Sequence, residues 1–349
     1  MELARAVDAG VCARLSGLSA VLRAFLCHEE VWREHCLRLL GSGTPLRWSQ
    51  EGSWRASYVL SIGRGGGEAA AASGDSGGGG SAPSGEPLPK RRRTVASSAR
   101  VYSDVLHRSF FYAAAELDPY WLSRENIARA DARKLSVEDF VRDYERKSLP
   151  VLLEGAAEAW PALKRWSREQ LIERYGDAIF TCGPCDLPLR EWYAYADRNM
   201  DDAPLFIFDR WFHKRAPGLL DDYEVPKVFR GRDLFDLLGD DRPAFRWLLA
   251  SNRKSGSKWH IDPNKTCAWN AVVRGRKRWL MLPPGCPPPG VRPTKDGAEV
   301  TQPISLVEWF SNFYRELRKY AEQSPAWDLK EVTCGPGDAV FVPCGWWHC

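Results

Sequence analysis

No apolar run in the 349-residue sequence approaches the roughly 18 residues that a membrane-spanning helix needs, so no membrane partner is expected. A secretory signal is also lacking, because Glu2, Arg5, Asp8 and Arg14 interrupt any apolar core at the N-terminus. Charge of one sign is scarce. The 49 basic and 45 acidic residues leave a net +4, so nucleic-acid binding would have to rest on a local patch. Ten cysteines are too sparse for a disulfide scaffold and, without a signal, read as reduced thiols of the cytosol or nucleus. Cys182-Gly-Pro-Cys185 has no second C-x-x-C to complete a structural zinc site. Asp186-Leu-Pro188 after it is a poor helix start for a redox pair. The Gly65-Gly-Gly67 run lacks the Lys-Ser/Thr ending of a phosphate loop, and no internal repeat is visible. What is plentiful is core material. Hydrophobic residues make up 44% of the chain, and 16 are tryptophan, which excludes a wholly disordered protein.

The chain divides into three parts. Residues 1–62 read as a small helical segment, with Leu15, Leu18, Leu22, Phe25 and Leu26 at helical spacing and a second amphipathic piece around Val31, Trp32, Leu37, Leu39 and Leu40. Residues 63–100 read as a disordered linker, with ten glycines between Gly63 and Gly85 and a basic run, Lys90-Arg-Arg-Arg93, that suits a nuclear import signal or simply keeps the linker soluble. Residues 101–349 read as globular. Ser136 caps a helix over Leu135–Tyr144, with Asp139 at capping-box distance. Pro150–Leu153, Arg246–Ala250, Trp259–Asp262, Ala268–Val273, Arg278–Leu282 and Asp338–Val342 read as strands, and Ser305–Tyr320 as an amphipathic helix inserted between the last two. Residues 165–175 suggest a further helix. Many short strands with helices in front predict a β-sandwich or open barrel, mainly β within an α+β chain, rather than βαβ units.

His260 and Asp262 form an H-x-D pair. On a strand they would share a face and could hold one cation together. Such a pair alone is equally a hydrogen-bonded core group. The only histidine downstream of Asp262 is His348, in Gly345-Trp-Trp-His348, and adding it completes a 2-His-1-carboxylate set with open positions, which suits Fe(II). Lys277 lies between them in Gly275-Arg-Lys-Arg-Trp279. If Trp279 points inward, alternation brings Lys277 inward too, and a buried lysine needs an anion; otherwise it is as solvated as Arg276 and Arg278.

These residues carry a resemblance. Residues 101–349 resemble the JmjC-domain oxygenases, and more closely the branch of bifunctional arginine demethylases and lysyl hydroxylases. The matching text includes Ala128-Arg-Ala-Asp131, Leu135–Phe140, Tyr144-Glu-Arg146, Pro204–Asp209, Asp222–Pro226, Arg253–Gly256, His260–Pro263, Ala268-Trp-Asn270, Gly275–Trp279 and Phe341–His348. The resemblance implies a double-stranded β-helix, or cupin-like jelly roll, with its catalytic core over about residues 200–349. It implies Fe(II) held by His260, Asp262 and His348, and 2-oxoglutarate as co-substrate. Lys277 would then pair with the distal carboxylate of the co-substrate, Ser257 would donate a hydroxyl to it, and Asn270 would hydrogen-bond nearby. Phe206 stands where the branch carries a tyrosine, which puts one contact in doubt. The implied reaction converts 2-oxoglutarate to succinate and CO2 while hydroxylating lysine, or an N-methyl group of arginine or lysine that is then lost as formaldehyde, in nuclear proteins such as histones or splicing factors.

Relative to the family, the chain is expected to be C-terminally incomplete after Cys349. Residues 11–37 resemble the second half of an F-box, which implies a Skp1-type adaptor as partner or, equally, a plain helical packing segment. A basic peptide substrate would prefer an acidic rim, for which Asp201, Asp202, Asp209, Asp221, Asp222 and Glu224 offer residues; a solvated acidic loop is the simpler expectation. Two alternatives stay open: an F-box substrate adaptor of a ubiquitin ligase whose JmjC-like domain only binds, and nucleic-acid binding through Lys90–Arg93 and Arg274–Arg278.

Overall fold

The computed structural model describes residues 7–16, 22, 25–63, 104–295 and 299–349. Residues 64–100 of the expected linker, with Lys90–Arg93, lie outside the described residues, as does most of the first amphipathic run, residues 17–21 and 23–24. The chain forms two compact units, Met1–Ser109 and Phe110–Cys349.

In the first unit α1 (Ala9–Leu15), α2 (Glu29–Gly41) and α3 (Trp54–Ile62) begin at side-chain caps, Asp8, His28 and Ser53 respectively. Val31, Trp32, Cys36 and Trp54 are buried, and Trp48 meets Trp54 edge-on with ring centroids 4.8 Å apart. The Glu29 carboxylate accepts from the Ser53 hydroxyl at 2.8 Å, tying the start of α2 to the start of α3.

The second unit is built on two facing sheets. One has the order β1 (Ala128–Asp131), β2 (Val151–Glu154), β12 (Ala339–Val342), β7 (Ala268–Ala271). The other has the order β11 (Lys330–Cys334), β8 (Lys277–Leu282), β13 (Trp347–His348). Between them Leu152, Val340, Val342, Trp279, Met281, Val332 and Cys334 form one apolar cluster. Each sheet is also covered from outside. On the first, Val151, Leu153 and Phe341 pack against Phe140 of α4 (Val137–Phe140). On the second, Leu280, Leu282 and Trp347 pack against Val307, Trp309, Tyr314 and Leu317 of α5 (Leu306–Gln323). Double coverage explains why β8 reads as a continuous apolar run: Trp279 and Met281 face inward while Leu280 and Leu282 face the helix. Three short antiparallel pairs complete the strands: the tight hairpin β3 (Ile179–Cys182) with β4 (Cys185–Pro188), β5 (Ile207–Asp209) with the distant β6 (Leu248–Ala250), and β9 (Arg292–Pro293) with β10 (Val300–Thr301).

The sandwich expectation is met, with two corrections. β1 and β2 pair in parallel across the segment that holds α4, so one strand–helix–strand unit does occur, at the sheet edge. The cap of that helix is as expected, with Ser136 Oγ accepting from the Asp139 N–H at 3.0 Å. The second correction concerns Trp259–Asp262, which is not a regular strand. Only His260 pairs, exchanging both backbone hydrogen bonds with His348, at 3.1 and 2.9 Å. Pro263 then brings no N–H to a ladder and opens a 3-10 turn, Pro263–Lys265, with Asn264 at φ +57°.

The expected acidic rim is largely consumed inside the fold. Asp209 is fully buried and accepts from Arg215 at 2.7 Å, and Asp222 is fully buried between Arg165 at 2.9 Å and Arg174 at 3.4 Å. Asp202 is buried, Asp201 accepts from the Tyr195 hydroxyl, and Glu224 pairs with Arg230. Only Asp221 is left as an exposed carboxylate without an assigned internal role. The basic strand start is likewise not a free patch. Arg278 is nearly buried and donates to Glu331 at 3.0 Å, and Arg274 donates to the Trp166 carbonyl at 2.7 Å.

Candidate metal centre

The geometry of the centre begins with the His260–His348 pair. Residues that exchange both hydrogen bonds in an antiparallel pair project their side chains to one face. The two imidazoles accordingly lie with ring centroids 4.2 Å apart. Asp262 follows His260 by two residues, and its Oδ1 sits 3.6 Å from His260 Nε2 and 3.7 Å from His348 Nε2. One donor atom from each residue lies within 4.8 Å of the other two.

The orientation of both rings is set by the backbone. His260 Nδ1 is 2.7 Å from the Lys258 carbonyl and His348 Nδ1 is 3.0 Å from the Trp346 carbonyl. A carbonyl can only accept, so each Nδ1 carries a proton, and each Nε2 is the ring atom on the Asp262 side. Burial, with His260 next to it, lowers the pKa of His348 to about 4, which keeps the ring neutral and ready to ligate at neutral pH. Burial opposes ionisation of Asp262, but the two imidazoles and Lys277 outweigh it and hold the carboxyl below its ordinary range. Asp262 Oδ2 is buried and has no hydrogen-bond partner among the described residues. A buried carboxylate oxygen with no donor is costly, and a cation held by two imidazole nitrogens and this carboxylate removes the cost. Two imidazoles and one carboxylate, with the rest of the coordination sphere open, are the donor set of a non-haem Fe(II) site. The residues present therefore fit that ion.

Strand parity places the remaining candidates. His348 pairs with Met281 in register, so it faces the space between the sheets. Lys277 lies on the same face of β8 as Trp279 and Met281, and its ammonium sits 4.0 Å from the centroid of the Trp279 ring. Burial pulls its pKa down to about 8, while Cys334, Cys349 and Asp262 pull the other way. The inward reading of Lys277 thus holds. Asn270 pairs with Val340 in register and shares its inward face. Ser257 lies half-buried in the loop between β6 and His260, and Phe206 lies half-buried just before β5. In the sequence Trp279 serves only as a guide to the direction of Lys277. Its ring is 6.0 Å from that of His348, and its indole N–H is buried without an acceptor among the described residues, so it is a further polar group facing the same interior. Inward parity on β8 is the signal that marks it. Cys182 and Cys185 stand at the ends of a tight hairpin, both buried, with burial raising the Cys182 thiol well above its usual range, so the pair is not a reactive redox motif.

Comparison with known proteins agrees with this geometry. The family model of the JmjC domain, described as a hydroxylase, matches residues 247–349, the stretch that holds all three ligands and Lys277. Arginine-specific demethylase JMJ22 of Arabidopsis thaliana is 39% identical over 340 residues, covering 96% of this chain and 61% of that protein. Lysine-specific demethylase JMJ21 of the same plant is 37% identical over 253 residues, 70% of this chain and 26% of that protein. Bifunctional arginine demethylase and lysyl-hydroxylase psr-1 of Caenorhabditis elegans is 37% identical over 238 residues, 64% of this chain and 58% of that protein. The chain spans less than two thirds of the length of each of these relatives. The segment that builds the His-Asp-His centre, residues 247–349, is the part of this chain that matches the JmjC domain.

Proposed function

We propose that this protein is an Fe(II)- and 2-oxoglutarate-dependent oxygenase that hydroxylates lysine or demethylates arginine or lysine in other proteins. The observation that carries this reading is the convergence of His260, Asp262 and His348 around an orphaned carboxylate oxygen, on the same interior face as Lys277. The printed activities of the similar proteins, arginine demethylation and lysyl hydroxylation among them, support the substrate class. Bound iron would supply oxygen activation coupled to decarboxylation of 2-oxoglutarate. The protein's own residues do the rest. His260, Asp262 and His348 would hold the metal on one side and leave the opposite side open. The Lys277 ammonium, set among apolar side chains, would bind the distal carboxylate of 2-oxoglutarate and orient it, with Asn270 and Ser257 as further polar contacts. The Trp279 ring and the apolar interior would exclude water.

Double-stranded β-helix topology is the finer reading of the two facing sheets, and nuclear residence, supported by the Lys90–Arg93 run, belongs to the same proposal. The F-box-like reading of residues 11–37 belongs to the same proposal and draws on the helices α1 and α2; the alignment with JMJ22, over 96% of this chain, also reaches the N-terminal unit without bearing on an F-box. Adaptor binding there remains compatible with catalysis in the second unit.

The test is succinate formation from 2-oxoglutarate with Fe(II), ascorbate and a pool of Lys- and methyl-Arg-rich peptides. The expected result is turnover that His260→Ala abolishes. Absence of both turnover and iron retention would overturn the proposal in favour of a binding-only adaptor.

A further inference from the structure

The two segments that flank the metal ligands each carry an exposed cysteine. Cys267 ends the segment that runs from Asp262 into β7, and Cys344 lies in the turn between β12 and His348. β7 and β12 are antiparallel, and their register ends at Ala268 opposite Val342. Cys267 is therefore one residue outside the ladder and Cys344 two, at the same end of adjacent strands. The Cys344 backbone N–H lies near the Cys267 sulfur, and the two sulfurs are within electrostatic range of one another. Nothing in the metal site uses either thiol.

We infer that Cys267 and Cys344 form a reversible disulfide that ties the Asp262-bearing segment to the His348-bearing segment. Hydrogen peroxide is the oxidant. The Cys344 thiolate attacks one peroxide oxygen and becomes a sulfenic acid, and the other oxygen leaves as hydroxide and is protonated to water. The Cys267 sulfur then attacks the sulfenic sulfur, its proton leaves with the departing hydroxyl as a second water, and the S–S bond closes. Two thiols are oxidised and one peroxide is reduced to two waters. Both thiols are exposed to peroxide, and the sequence balances in the same way with the two cysteines exchanged. A bridge between exposed strand ends is accessible to thiol reductants, so it reopens. Closure would fix the spacing between the two ligand-bearing segments and slow escape of a bound metal ion.

The test uses the whole chain. After peroxide treatment and blocking of free thiols, peptide mass spectrometry is expected to find a Cys267–Cys344 linked peptide, about 2 Da lighter than the two free peptides and lost on treatment with dithiothreitol. Cys267→Ser and, separately, Cys344→Ser should each remove it. Release of bound Co(II) to a chelator, followed by absorbance, is expected to be at least about tenfold slower in the oxidised chain than in the reduced one. Both variants should release Co(II) at the reduced rate in either condition. Overoxidation of the two cysteines without a link between them would overturn the disulfide. Equal Co(II) release from the linked and reduced chains would overturn its hold on the metal site. Neither readout depends on turnover, so the inference can fail while the oxygenase reading stands, and the reverse.

Discussion

Lys277 is stationed where a charge is expensive. Its side chain runs inward from the first residue of β8 over the Trp279 ring, and no carboxylate forms an ion pair with it among the described residues. The cost is visible in the fall of its pKa from 10.5 to about 8 through burial. The sign follows from linkage. A lysine whose folded pKa lies below its unfolded value penalises the folded state below about pH 8. That penalty is relieved as pH rises from about 8 toward 10.5, because the unfolded chain binds the proton more tightly in that window. Lys277→Met, which keeps the length and removes the charge, is therefore expected to stabilise the metal-free protein at pH 7 by about 1–2 kcal/mol, a modest figure because Lys277 keeps part of its surface in solvent. The gain should shrink toward pH 10. Urea denaturation of both proteins at the two pH values measures it, and a variant less stable than the parent at pH 7 would show that the ammonium is stabilised where it stands. A residue that lowers stability and faces a metal centre is placed there for a ligand.

At the scale of the elements, the strongest internal fixture joins β11, β8 and α5. Glu331 of β11 is fully buried, accepts from the Tyr314 hydroxyl at 2.6 Å and from Arg278 at 3.0 Å, and has Arg124 at 3.7 Å and Arg318 at 3.9 Å. Removing the single anion from several guanidinium groups leaves buried or half-buried charge uncompensated. Glu331→Ala is expected to cost about 3–5 kcal/mol, read as a lower urea midpoint at unchanged slope, while Tyr314→Phe costs about 1 kcal/mol, the value of one hydrogen bond. A near-neutral Glu331→Ala would mean that water or the arginines' mutual splaying replaces the carboxylate. This fixture also shows what the sequence could disclose. The strand Arg278–Leu282 was legible because its residues are apolar on both faces, and the ligand set because His260, Asp262 and His348 are rare letters in a specific order. The roles of Glu331, Asp209 and Asp222 were not legible. Their arginine partners come from other elements, such as Arg278 on β8 for Glu331, and no local spacing reveals a tertiary ion pair. Trp259–Asp262 passed for a strand because its hydrogen bonds reach only one partner, His348, far along the chain, and Pro263 ends the pairing at once.

At the scale of the whole molecule, the metal centre belongs entirely to the unit Phe110–Cys349, and its three ligands are brought together only by folding. His260 and His348 share no local turn; their contact exists because β12 lies against β7 and β13 against β8. The unfolded chain therefore offers no preformed site, and metal binding is folding free energy for that unit. At a metal concentration one hundred times Kd the expected gain is about 2.7 kcal/mol. Differential scanning calorimetry of the full chain with and without Mn(II), used as a redox-stable probe, should shift the transition of the second unit upward and leave that of the Met1–Ser109 unit in place. A chelator should reverse the shift. Asp262→Ala should abolish the shift, read against that variant's own metal-free transition. A shift that persists in Asp262→Ala, or one confined to the first unit, would place the bound ion elsewhere and separate the His260–Asp262–His348 cluster from metal binding.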